Sequence, residues 1–172
     1  MLPRFLLVFA LAAIVSSCVK PPPTAEGFRQ LAASGGRWAK VETFEVDRPY
    51  QEVAKTFQSR SAACLQVQVV STSSGGYQSH PTTFKRDYKP TVKLDQSRAE
   101  FYVQIHIEGT NLVRVYEEAD GGDYVMVADA YPVGPNRSRI ELHQVTVGHD
   151  VLMKSVRDWA TGKSTACPDL TK

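Results

Sequence analysis

Phe101-Tyr102-Val103-Gln104-Ile105-His106-Ile107-Glu108 alternates apolar and polar side chains without a break. Alternation at period two is the mark of a strand with one face on a core and one face off it. No other run in the chain is as regular, so the fold is read outward from it. On its C-terminal side, Glu108-Gly109-Thr110-Asn111 predicts a turn back into a strand over 112–118. Asp120-Gly121-Gly122 predicts a second hairpin turn, because successive glycines accept positive φ, and 124–131 is its partner strand. A loop over 132–138 leads to a last strand over 139–147. There Ile140 and Leu142 lie on one face and Val145 and Val147 on the other, which a bulge near Gln144 reconciles.

On the N-terminal side the strands are less regular. Residues 82–88 and 91–94 are strand-like but interrupted by Pro81 and Pro90, which points to an edge or a bulged strand. Leu65, Val67 and Val69 alternate with Gln66 and Gln68, and the small residues of 71–76 make a loop. Before them, Tyr50, Val53, Ala54, Phe57, Ser61 and Cys64 recur at three- and four-residue spacing, the single apolar stripe of a helix. Asp47 or Arg48 occupies its cap and Pro49 its first turn, where the missing N–H costs nothing. Residues 38–46 are strand-like. At the other end, Asp150 starts a helix in which Leu152, Val156 and Trp159 form the stripe and Gly162 is the stop. The order strand, helix, antiparallel strands, helix is an α+β domain: a β-meander packed against one helix after the first strand and a C-terminal helix.

Phe44-Glu45-Val46-Asp47-Arg48-Pro49, followed by Glu52-Val53, a meander and a terminal helix, resembles the START-like (SRPBCC) helix-grip fold. That resemblance implies a sheet wrapped around a C-terminal helix, often enclosing an apolar ligand cavity. This chain departs from it in having one helix after the first strand and a terminal helix of only about twelve residues, short for gripping.

The N-terminus has a different signature. Met1 to Arg4 carries one positive charge, residues 5–15 are an apolar run, and Ser16-Ser17 precedes Cys18. This is the layout of a secretory signal peptide, and as a helix the run spans only about 16 Å, roughly half a bilayer core. The alternative is an uncleaved anchor. Val15-Ser16-Ser17-Cys18 resembles the bacterial lipobox, with Val15 where Leu is commonest. The resemblance implies a diacylglyceryl group on the Cys18 thiol, cleavage before Cys18 and acylation, for example by palmitate, of the new amine. Several acyl chains on one residue give a lasting membrane anchor. Val19 rather than Asp after the cysteine implies the outer membrane, with the domain in the periplasm or at the cell surface. Three segments follow: 1–17 a signal peptide, 18–37 a lipidated cysteine with a proline-rich tether, and 38–172 the globular domain. In the tether Pro21-Pro22-Pro23 favours extended backbone, and Thr24 caps a short helix carrying Phe28 and Leu31 that lies on the domain or stays mobile.

Composition agrees with an exported domain: 42% hydrophobic, 22% charged, and a net charge of +2 that gives no argument for nucleic acid. With Cys18 assigned to lipid, Cys64 and Cys167 remain, an even pair expected to form a disulfide in an oxidising compartment. The alternative for Cys64 is a buried thiol on the helix stripe.

No residue set announces catalysis. The cysteines lack metal-ligand spacing, Gly121-Gly122 lies between strands rather than before a helix, and no serine has a nucleophile elbow around it. His106 with Glu108 and Glu141 with His143 supply the ligand types of a zinc site. A simple meander, however, puts two strands between them, about 14 Å, and the expectation is a polar sheet surface with no metal and no cofactor. The sequence thus points to a noncatalytic envelope module that presents its domain to an envelope protein partner. A carrier or sensor of a small apolar ligand in a helix-grip cavity is the second reading, and an enzyme the third.

Overall fold

A computed structural model describes residues 21–73, 82–109 and 116–171. Its order is α1 (Ala25–Ala33), β1 (Lys40–Val46), α2 (Tyr50–Cys64), β2 (Gln68–Ser73), β3 (Thr82–Leu94), β4 (Ala99–Gly109), β5 (Asp123–Gly134), β6 (Arg137–Gln144) and α3 (Asp150–Thr161). The strands form one antiparallel sheet in the order β1-β6-β5-β4-β3-β2. β1 crosses to pair with the last strand, so the sheet edges are β1 and β2. This is an α+β, helix-grip-like domain. Among the described residues no helix is long and apolar enough to cross a membrane.

The inner face carries the main core. Phe101, Val103 and Ile105 of β4 project there, as their alternation requires, beside Met126 and Ala128 of β5 and Ile140 and Leu142 of β6. All six residues of the expected α2 stripe are buried. Phe57 meets Phe101 with ring centroids 5.4 Å apart, and each such side chain contributes roughly 1.5–3 kcal/mol by leaving water. α3 packs on the same side through Leu152, Val156 and Trp159. The stretch that suggested a helix grip fastens it: Arg48 Nη1 donates to the carbonyls of Trp159 and Ala160 at 2.7 and 2.9 Å, supplying partners at the end of α3. Gly162 closes that helix with φ +73° against the Arg48 side chain.

Several boundaries differ from expectation. The cap of α2 is Pro49, not Asp47 or Arg48, since Arg48 is committed to α3. Leu65 is the buried C-cap of α2 rather than the start of a strand, and β2 begins at Gln68 and runs into the expected loop. Residues 82–94 are one continuous strand through Pro90. Tyr88 N donates to Val67 O at 2.9 Å, and Pro90 points its nitrogen to that same side, where β2 no longer runs alongside; the ladder loses no bond there.

β5 pairs directly with β4. Of the strand expected over 112–118, residues 116–118 are not in a strand and the rest lie outside the described residues. The bulge near Gln144 is absent, for β6 ends at that residue. The irregularities sit in β5 instead: the register to β6 shifts between Pro132 and Gly134, and Val103 pairs with Met126 and Gln104 with Tyr124, so Val125 is an extra residue against β4. Gln104 Nε2 braces the turn before it, donating to the carbonyls of Asp120 and Gly122 at 2.8 and 2.9 Å. A Cβ on Gly122 would meet the Ile105 backbone at 2.7 Å, so only glycine fits.

The outer face is covered in part by α1. Gly27 N donates to Thr24 Oγ1 at 3.1 Å, the expected cap, and Phe28 is fully buried against Tyr102, Tyr124, Val127 and Val145. Packing therefore begins at Ala25, within the segment expected to tether the domain.

Candidate functional site

α1 sits on an ion cluster that sequence reasoning missed. Arg29 donates through Nε and Nη2 to the two oxygens of Asp129 at 2.7 and 2.8 Å, and through Nη2 to Glu100. Asp129 is fully buried and Glu100 nearly so. Burial opposes the charge on Arg29, but the hydrogen bonds to Asp129 and Glu100 outweigh it and its pKa is raised; the same contacts outweigh burial at Glu100 and lower its pKa. One signal was available: Asp129 interrupts the apolar run Val125-Met126-Val127-Ala128, and a carboxylate there needs a buried partner.

His143 lies beside this cluster, 94% buried, its Nε2 3.8 Å from Asp129 Oδ2. Burial pushes its pKa below the usual value; Asp129, Glu141 and Glu26 pull the other way and Arg29 reinforces the drop. A folded-state pKa below the unfolded value of about 6.5 means the unfolded chain takes up the proton first as pH falls. The stability held above about pH 6.5 is therefore lost progressively on acidification until the folded-state pKa is reached. His149 contributes with the same sign, its pKa lowered by burial and then by Arg86. Urea midpoints measured from pH 8 to pH 5 are expected to fall more steeply in the wild type than in His143→Gln. Parallel slopes would show that the imidazole is not buried neutral.

The four residues weighed as metal ligands are not brought together. One strand, β5, separates β4 from β6 rather than two. His143 is level with Val127 and Tyr102, four positions from His106, an offset of about 13 Å along the strands. His106 is instead paired with Glu118, Nδ1 to Oε2 at 2.7 Å, with Glu108 at 3.6 Å from its other nitrogen. Cys64 and Cys167 are joined in a disulfide, with Cα atoms 5.1 Å apart. Cys18 lies outside the described residues.

The described residues enclose a cavity of about 760 Å³, within the roughly 300–1,000 Å³ of small-molecule sites. Its floor is Tyr88, Ile105 and Ile107, where the inner face extends past the N-terminal end of α3. It runs round the bulge at Val125 to the outer face, where Leu31 of α1 and Val145 form the wall. Among the described lining residues, polar groups face the apolar floor, notably Arg86 with Ser71, His149 at the cap of α3, and Asp123, whose Oδ2 accepts from the Tyr116 hydroxyl at 2.7 Å. Short helices make this space. The 12 residues of α3 reach about 18 Å, whereas the 13 of β3 extend about 43 Å, so part of the sheet has no helix over it.

Fold and cavity together define a helix-grip-like domain with an accessible interior. No protein-family model matches the sequence, and no curated protein does. Among solved structures, the di-domain ARO/CYC protein BexL of the BE-7585A biosynthetic pathway is similar at 14% identity and a TM-score of 0.33, over 72% of this chain. The chain spans under half, 45%, of that protein. Protein CV1439 of Chromobacterium violaceum is similar at 10% identity and a TM-score of 0.28, over 73% of this chain and 91% of its own.

Proposed function

We propose that this chain is a bacterial envelope lipoprotein, anchored through Cys18, whose domain carries or senses a small, largely apolar molecule in the cavity beyond the end of α3. The observation that supports the reading is the cavity, which opens onto Tyr88, Ile105 and Ile107 where a solid core would have favoured a purely structural module. The neutral fluorophore Nile red is expected to saturate the domain at one per chain, and Ile107→Trp, which puts an indole into the space, to abolish that binding. Unsaturable or absent binding by the wild type would refute the ligand reading. The anchor is tested separately: Cys18→Ser should leave a folded domain that no longer fractionates with membranes.

A second reading, an envelope protein partner, is favoured by one surface. Trp38 and Val147, 54% and 61% exposed, line a groove of about 270 Å³ with Arg37 and Lys40. Exposed apolar side chains rimmed by polar ones are the character of a protein-docking patch.

A further inference from the structure

Among the described residues, Arg86 is the one arginine of the cavity wall, and it is under-used. A guanidinium carries five N–H donors, yet among the described residues its side chain makes one hydrogen bond, Nη1 to Ser71 Oγ at 3.2 Å, and no ion pair. Two arginines at α3 on the same side of the sheet are differently placed: Arg48 caps the helix, and Arg157 within it is paired with Glu42. Arg86 is half-buried, and its charge is felt at His149, which faces the same space and whose ring makes no hydrogen bond among the described residues. Two donor-capable groups thus converge at one end of an apolar floor.

Among the described lining residues, the carboxylate of Asp123 stands apart from them. Asp123 pairs with Ile105, and Arg86 with Ile107, on opposite sides of β4. Asp123 is already engaged by the Tyr116 hydroxyl. A ligand with an acid group is drawn to the Arg86 end, so the wall fixes the direction in which it lies.

Building on the ligand reading above, we infer that the cavity takes an apolar molecule bearing a single carboxylate, with the carboxylate on Arg86 and His149 and the apolar part over Tyr88, Ile105 and Ile107. A planar guanidinium meets a carboxylate through two parallel hydrogen bonds, and a half-buried site strengthens them.

Dodecanoate and dodecanol share one chain and differ in the head group, so the pair separates head from tail. At pH 8, by calorimetric titration of the full folded domain, dodecanoate is expected to bind about ten- to a hundredfold more tightly than dodecanol, the range for one charge-assisted contact. Arg86→Gln is expected to erase that preference, chiefly by weakening dodecanoate, while Arg86→Lys retains part of it. Melting curves that match the wild type establish that the variants are folded. Equal affinity of the wild type for both compounds would overturn the carboxylate inference and leave the ligand reading standing. Binding of neither would overturn both. A preference that survives Arg86→Gln would show that the carboxylate sits elsewhere.

Discussion

Arg29→Met is expected to destabilise the domain by about 3–5 kcal/mol, the cost of removing one partner from a buried charge cluster. The side chains left behind are Asp129, fully buried, and Glu100, nearly so, two like charges on the same sheet face. Arg98 and Lys93 approach them at 3.6 to 3.8 Å and soften the loss, but both are more exposed and neither makes the two-pronged contact of Arg29. The domain has one escape, which is to lift α1 and admit water, and this caps the loss at the docking energy of the helix. Urea unfolding measures the total, and amide exchange over Ala25–Ala33 shows whether α1 has left the sheet. Adding Glu100→Gln and Asp129→Asn to Arg29→Met should recover much of the stability, because the uncompensated charges and not the missing contacts carry the cost. A loss under about 1 kcal/mol for Arg29→Met alone, as for a surface pair, would refute this account.

The second large effect is expected from the disulfide. Cys64 and Cys167 are 103 residues apart, and loop-closure entropy at that length corresponds to about 4–5 kcal/mol, within the roughly 2–5 kcal/mol seen when native bridges are removed. The bridge also fastens the segment after α3. Trp159 Nε1 donates to Ala166 O at 2.9 Å, and Leu170 packs on the core. In Cys64→Ala/Cys167→Ala the unfolding midpoint should drop and the tryptophan emission shift as that bond loosens. If dithiothreitol leaves the midpoint of the wild type unchanged, the bridge does not contribute in this way.

What could be read in the sequence was set by local pattern. The α2 stripe from Tyr50 to Cys64 and the alternation from Phe101 to Ile107 each need only their own few residues, and both faces are where the spacing puts them. Pairing depends on distant partners, so the direct β4–β5 ladder, the bulge at Val125 and the passage of β3 through Pro90 had no local signal strong enough to show them. Val145 was assigned to the opposite face from Leu142, and that is correct without a bulge, since α1 gives the outer face apolar partners of its own. The candidate site was the least legible part. Arg86 and His149 are 63 positions apart and line one cavity only through the tertiary fold. The short terminal helix, which by sequence argued against a grip and its cavity, is the feature that leaves the cavity room.

The walls of that cavity include Pro21 and Pro22 from one end of the described chain and Leu170 and Thr171 from the other. Chain ends are ordinarily where additions and deletions are harmless. Here they are not interchangeable with linker: a version of the protein beginning at Trp38 would keep its sheet and two helices but lose both a wall and Arg29. A purification tag fused directly before Pro21 or after Thr171 would stand at a wall of the cavity. On the proposed ligand reading, its cost would register in binding before any effect on whether the domain folds.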